Sequence, residues 1–348
     1  MSVYSGIIRP LFFKLSPEKI HHLAFSIMKV LNNTPIVKQV IRSMFVVKSP
    51  KLQRELFGLK FSNPVGLAAG FDKDAKLFNE LADYGFGFIE IGTLTPKGQA
   101  GNAKPRLFRL TEDTALINRM GFNNQGVDAA VERLKNRKTK IIIGGNLGKN
   151  KSTSNEDADE DYLTVFNKLF DYVDYFVVNV SCPNMGNLTE LQEKEPLKRL
   201  LKKVMDENAK RTSPKPVLLK IAPDLSEVEL DDVIEIVKEL KLSGVVAANT
   251  SVNREGLKTS QNKLESIGYP GGLSGVPVKD RSTKVIKYLY SNLGDDYPII
   301  GVGGIHTAQD ALEKLNAGAK LVQVYTGFVY EGPGLVKSIN KELLKGKS

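Results

Sequence analysis

An α/β chain, folded as a (β/α)8 barrel with a small N-terminal helical extension, is what this sequence predicts. Two observations carry that reading. From residue 65 onward, eight β-branched or aromatic runs alternate with helix-length amphipathic stretches, and that alternation builds parallel sheets with crossover helices. The residues that end the eight runs are small, amide, hydroxyl or lysine in every unit. In parallel α/β proteins that edge of the sheet holds the active site.

The runs fall at 65–69, 86–92, 140–145, 175–180, 217–221, 244–248, 298–302 and 320–325. Helical patterns separate them. The stretch 226–240 opens with a capping box of Ser226 and Glu229, and 307–316 is closed by Gly318. Eight such units in 348 residues point to a closed barrel and not an open sheet. Two connections, 95–125 and 251–279, are too long for simple loops, and insertions of that length commonly bind ligand. Within the first, Arg106 to Leu110 reads as one strand of an inserted hairpin.

Ahead of the barrel, Ser16-Pro17 and Thr34-Pro35 are both N-cap-plus-proline helix starts. Ile20, Leu23, Ala24, Ile27, Met28 and Leu31 share one face of the first helix. Ile36, Val37, Val40, Ile41, Met44 and Phe45 form the apolar side of the second. A short apolar segment, 7–13, precedes both. Such a pair is either a helical hairpin packed on a core or a monotopic membrane patch, with Lys29, Lys38, Arg42 and Lys48 near anionic headgroups. The division expected is residues 1–48 as the extension and 49–348 as the barrel domain.

Composition narrows the function classes. Hydrophobic residues make up 41% of the chain and its net charge is +10, so a globular protein with an anionic ligand or surface is expected. The basic residues are scattered without a nucleic-acid-binding pattern, so no nucleic acid partner is expected. One cysteine excludes an internal disulfide, and His21, His22 and His306 make no metal set. No apolar run of spanning length occurs and no signal-peptide pattern opens the chain, so a place on the cytoplasmic side is expected.

The strand-end chemistry is specific. Ala69-Gly70-Phe71-Asp72-Lys73, Gly92-Thr93, Gly145-Asn146, Asn179, Lys220, Asn249-Thr250, Gly303-Gly304 and Tyr325-Thr326 describe a site for a large polar ligand. The Gly303-Gly304 turn and the Tyr325-Thr326 end lie where barrels bind phosphate, after strands 7 and 8. Asn179 to Asn184 sets two amides, a hydroxyl and the chain's one thiol, Cys182, beyond the fourth run.

Ala68 to Lys73, Glu90 to Pro96, Asn118 to Asn124, Asn179 to Asn184, Lys220 to Asp224 and Gly271 to Gly275 together resemble the dihydroorotate dehydrogenases. The resemblance runs from about residue 4 to the C-terminus. Its N-terminal extension is similar to that of the quinone-linked, membrane-associated class. It implies oxidation of (S)-dihydroorotate to orotate in pyrimidine biosynthesis, with FMN as cofactor and a membrane quinone as acceptor. The place implied is peripheral and monotopic, on the cytoplasmic face of the cell membrane and in contact with its lipid.

Carried over by position, FMN would be held by Ala69, Gly70, Phe71, Asp72, Lys73, Thr93, Asn146, Asn179, Lys220, Ala248, Gly275, Gly304, Tyr325 and Thr326. The substrate would be held by Lys73, Asn118, Arg119, Met120, Gly121, Phe122, Asn179, Asn184, Asn249 and Thr250. Cys182 stands at the general-base position, and His21, Arg109 and Tyr325 at the polar end of a quinone tunnel. The residue chemistry agrees: amides offer donor and acceptor to a ring of alternating N–H and C=O groups. Two buried lysines argue for bound negative charge. A thiol, with a free pKa of about 8.5, is a readier base than a hydroxyl.

Two departures from the family pattern bear on the acceptor and the cofactor. The quinone-linked class usually has Ser where Cys182 stands, and Cys belongs to the soluble class that uses fumarate or NAD. Ala248 replaces a usual Thr. The N-terminal extension, a whole structural element, outweighs that exchange of one atom and favours the quinone. A non-redox phosphate-binding barrel, such as an aldolase, is the rival from another class.

Overall fold

The computed structural model describes residues 3–268 and 271–346. Its centre is a closed barrel of parallel strands: β1 (Val65–Leu67), β2 (Phe88–Leu94), β3 (Ile142–Leu147), β4 (Tyr175–Asn179), β5 (Val217–Ile221), β6 (Gly244–Ala247), β7 (Ile299–Val302) and β8 (Ala319–Val324). Each run read from the sequence is a strand of this barrel. Neighbours in the chain are neighbours in the sheet, and β8 closes on β1 through Val322↔Val65 and Val324↔Leu67.

Strand alternation sorts the side chains. Tyr175 and Val177 of β4 point into the barrel with Phe88, Leu218, Val246, Ile300 and Leu321. Phe176 and Val178 point outward into the layer beneath the helices. A hairpin of Arg54–Leu56 and Leu59–Phe61, absent from the sequence reading, places Phe61 edge-on against Phe88 in the interior cluster. The interior also holds a polar set of Glu90, Asn146, Lys220 and Gln323, each 5% exposed or less.

The helix starts behave as their chemistry dictates, with one difference. Ser226 and Glu229 form the reciprocal capping box at Glu227–Glu239, and Thr307 with Asp310 forms another at Ala308–Asn316. In the extension, α1 (Pro17–Asn33) and α2 (Pro35–Phe45) begin after Ser16 and Thr34, yet neither side chain makes a cap hydrogen bond. Proline in the first turn, with its fixed φ and absent N–H, starts both helices instead. The apolar segment ahead of them is helical: a π turn at Tyr4–Ile8 runs into Arg9–Phe13.

One face of α1 and α2 joins the barrel. Ile20 and Ile41 are buried, and Phe25, Met28, Val37 and Phe45 pack on the same core. Lys38 and Arg42, expected toward headgroups, turn inward to the buried carboxylate of Asp83 at 3.5 and 2.5 Å. The opposite face carries Leu23, Ile27, Val30, Leu31, Ile36, Val40 and Met44, all exposed. No helix among the described residues is long and apolar enough to cross a membrane.

The two long connections meet. Leu107–Leu110 and Ala115–Asn118 form the expected hairpin. Gly272–Gly275, from the second connection, adds a third antiparallel strand through Gly272↔Asn118 and Leu273↔Ile117. This sheet lies at the C-terminal mouth of the barrel and roofs it.

Candidate active site

Between the barrel mouth and the inserted sheet lies a cavity of about 1110 Å³, part of it continuous with solvent. Its walls bring together Ala69, Gly70, Lys73, Thr93, Asn118, Met120, Gly121, Phe122, Asn179, Cys182, Asn184, Lys220, Ala248, Asn249, Thr250, Gly275, Gly304, Tyr325 and Thr326. Every one of these positions was named from the sequence. His21, Phe71, Asp72, Arg109, Arg119 and Asn146 lie outside the lining.

Asp72 is fully buried, and its two carboxylate oxygens accept from the Lys76 and Leu77 N–H groups at 2.7 Å. It shapes the turn after β1. Phe71 packs between the rings of His21, Tyr325 and Phe328. Arg119 turns away to the Ile267 carbonyl at 2.7 Å and over the Phe108 ring, so it braces the inserted sheet. Asn146 is fully buried one layer below the lining.

That layer orients the lining amides. Asn146 Nδ2 donates to Glu90 Oε1 at 2.7 Å. A carboxylate only accepts, so Asn146 Oδ1 must face the other way. There it accepts from the Thr93 hydroxyl at 2.5 Å and Asn179 Nδ2 at 3.2 Å. Asn179 Oδ1 in turn accepts from Asn249 Nδ2 at 3.3 Å. Glu90 also accepts from Gln323 Nε2 at 2.7 Å and lies 3.6 Å from the Lys220 ammonium. Lys220 therefore has its anion within the protein, which corrects the expectation that both lysines imply bound charge.

Lys73 is different. Its ammonium donates to the Gly70 carbonyl at 2.8 Å, and no carboxylate lies within ion-pair distance among the described residues. Burial draws it down to about 8, with Asp74 pulling the other way. A cation so placed suits an anionic ligand.

Across the cavity, Asn184 Nδ2 donates to Asn118 Oδ1 at 3.2 Å and to the Asn118 carbonyl at 3.0 Å. Asn184 Oδ1 is buried with no partner. Burial pushes the Cys182 thiol up to about 11, while the Asn184 N–H, Lys220 and Lys73 draw it down. The thiol is thus less acidic than the free cysteine whose value the sequence reading used.

Near the extension, the His21 ring lies 4.4 Å from Phe25 and 5.1 Å from Phe71. Burial lowers it to about 3, so the imidazole stays neutral at physiological pH. Phe71 separates it from Tyr325, whose hydroxyl donates to the Gly70 carbonyl at 3.3 Å. Arg109 donates to the Phe13 and Leu15 carbonyls at 3.1 and 2.7 Å, and its Nη2 is buried with no partner.

Sequence reasoning missed Gln323 and Ser274, both in the lining. A Gln between Val322 and Val324, on the inward side of β8, was a readable signal. Ser274, bonded to the Thr326 hydroxyl at 2.8 Å, shows its role only once the inserted strand is docked.

The family model described as dihydroorotate dehydrogenase matches residues 51–346. A dihydroorotate dehydrogenase (quinone) from Christiangramia forsetii is 60% identical over 343 residues, covering 99% of each chain. Another from Rhodococcus erythropolis is 47% identical, over 97% of this chain and 94% of that one. The ligand-free DHODH structure from Eimeria tenella superposes with a TM-score of 0.82 at 35% identity, over 93% of this chain and 94% of that chain. The same organism's DHODH in complex with ferulenol gives 0.79 at 35%, over 89% of each.

Proposed function

Given that this chain belongs to the dihydroorotate dehydrogenase family, we propose that its cavity holds FMN and dihydroorotate together. The reaction is oxidation of (S)-dihydroorotate to orotate in pyrimidine biosynthesis, and a quinone is the acceptor. The fumarate, NAD and aldolase alternatives have no counterpart in these relatives.

The residues present fit a flavin mononucleotide. Gly275, Gly303 and Gly304 have φ of 105°, 118° and 71°, and a Cβ on Gly304 would run into Lys279. Backbone can therefore approach a phosphate closely there. Ala69, Gly70, Thr93, Asn179, Lys220, Gly275, Gly304, Tyr325 and Thr326 would hold the cofactor, and Asn146 would act through Thr93 and Asn179. Bound FMN supplies a hydride acceptor.

The chain's own groups do the rest. Lys73 neutralises the substrate carboxylate. Asn118, Asn179, Asn184 and Asn249 pair with the ring, and the unpartnered Asn184 Oδ1 suits a ring N–H. As its thiolate, Cys182 Sγ takes the substrate C5 proton, and the buried floor excludes water. One observation carries the reading: a thiol, five carboxamides and two ammonium groups line a single cavity at the mouth of a barrel. The test is direct. Isolated protein is yellow and bleaches when dihydroorotate is added without oxygen; colourless protein that ignores dihydroorotate after FMN is supplied ends it.

The same reading puts the protein on the cytoplasmic face of the membrane as a peripheral, monotopic enzyme. Support comes from the exposed large apolar side chains: among the described residues, all but Val228, Val252 and Val276 fall between Val3 and Met44. For the quinone, the unpartnered Arg109 Nη2 and the neutral His21 imidazole supply hydrogen-bonding groups beneath that face.

A further inference from the structure

Lys314 stands out among the ionisable side chains that the reaction does not use. It lies on the helix Ala308–Asn316 and its side chain is fully buried. Its ammonium reaches three oxygens in the first turn of Lys279–Leu293: the Lys279 carbonyl at 3.3 Å, Ser282 Oγ at 3.1 Å and Thr283 Oγ1 at 3.1 Å. None of the three is charged. The nearby carboxylates of Asp310 and Glu313 are taken by Lys279, at 3.3 and 3.5 Å, and among the described residues none forms an ion pair with Lys314. A buried ammonium without an anion is costly, so this position needs a reason.

The turn it holds supplies one. Lys279 and Ser282 are the residues against which Gly304 and Gly303 pack: a Cβ on Gly304 would lie 2.5 Å from Lys279 Cα, and one on Gly303 3.2 Å from Ser282 Oγ. Ser282 Oγ also donates to the Val302 carbonyl at 2.5 Å. The ammonium therefore sits one side-chain layer behind the glycine turn that faces the cavity. We propose that Lys314 is a positioning residue for the cofactor phosphate, a buried counter-charge that acts through the Gly303-Gly304 turn without touching the ligand. The proposal rests on the FMN reading and names a determinant of it.

The charge state fits. Burial lowers Lys314 to about 8, against the pull of Asp310, Glu313 and Asp280, with Lys279 adding to the depression. A group lowered in this way is still mostly protonated at neutral pH and loses its charge as pH rises through about 8. A dianion bound in front of it would hold the proton on.

Flavin exchange tests this on the full-length holoenzyme. Protein is equilibrated with excess equimolar FMN and riboflavin, desalted, and the retained flavins are separated and measured. The ratio of FMN to riboflavin isolates the phosphate's contribution, because general damage to the site weakens both flavins alike. In K314M the ratio is expected to fall tenfold or more relative to wild type. In wild type it is expected to fall as pH rises through about 8. Lys73 is also lowered to about 8, so the pH arm is read as the difference between wild type and K314Q, which keeps a donor for the Lys279 carbonyl. Should K314M yield no flavoprotein, K314Q is read in its place.

A ratio within twofold of wild type in the variant, or the same pH profile in K314Q and wild type, overturns the proposal. Wild-type protein that retains neither flavin overturns the FMN reading itself, a result distinct from either.

Discussion

Cys182 has a thiol that burial raises to about 11, and this sets the pH behaviour expected of the half-reaction. The thiolate is the base, so a raised value means few active molecules at neutral pH and more as pH increases. Stopped-flow flavin reduction at saturating dihydroorotate is expected to climb about tenfold per pH unit well past pH 8, the free-thiol range. Lys73 works in the opposite sense. Its ammonium is lowered to about 8, so the charge that meets the substrate carboxylate is lost above that pH in the ligand-free protein. The dihydroorotate concentration for half-maximal reduction is expected to rise above pH 8 while the limiting rate still climbs. C182A should slow reduction by about 10²–10⁴-fold, the range for loss of a general base, and C182S should fall between. Reduction in C182A at the wild-type rate removes Cys182 from this role. The position of Cys182 was legible in the sequence, because the strand β4 and the proline after it locate the thiol. Its acidity was not, because burial depends on residues from across the fold that pack over it.

At the scale of the element, α1 and α2 do two jobs with two faces. Truncation at residue 47 would remove the outer face but also Ile20 and Ile41, and would bare Phe71 and Tyr84, on which His21, Phe25 and Phe45 pack. Each buried Ile alone is worth about 1.5–3 kcal/mol, so a truncated protein reports on folding as well as on docking. Substitution on the outer face separates the two. Ile36, Val40 and Met44 are 77%, 50% and 51% exposed along one stripe of α2. Changing all three to Ser should cost within about 0.5 kcal/mol of stability each. Co-sedimentation with anionic vesicles and turnover with long-chain quinone are expected to drop tenfold or more, with dihydroorotate-dependent flavin reduction unchanged. Undiminished vesicle binding and quinone turnover would refute the membrane role of this face. Periodicity placed one apolar stripe on each helix, but packing divides it: Val37, Ile41 and Phe45 meet the barrel while Ile36, Val40 and Met44 face outward, a division that apolar spacing alone does not carry. The inward turn of Lys38 and Arg42 onto Asp83 was unreadable for a related reason: the partner lies some forty residues away and is set by packing.

At the scale of the whole molecule, the barrel could be read because each unit carries its own local signal, a β-branched run and then a helix with its cap. What joins units had no such signal. The three-stranded roof is assembled from two insertions more than a hundred residues apart, and its third strand, Gly272–Gly275, is too short and too rich in glycine to announce itself. The pairing of Glu90 in β2 with Lys220 in β5, from opposite parts of the barrel wall, was equally hidden. That pair is open to a decisive experiment. Both side chains are almost fully buried, at 0% and 5% exposure, so removing one partner strands the other charge, at a cost of about 3–5 kcal/mol. E90Q should therefore lower the unfolding midpoint markedly. Replacing both charges avoids the stranded ion, and E90Q/K220M is expected to recover most of the lost stability. Activity should not follow. Lys220 lines the cavity and Glu90 fixes the direction of Asn146 and, through it, of Thr93 and Asn179. A stable double variant with flavin reduction slowed a hundredfold or more would mean that the pair is kept for the site and not for the fold. If the double variant is no more stable than E90Q, the two charges are not coupled, and the polar interior of the barrel needs another account.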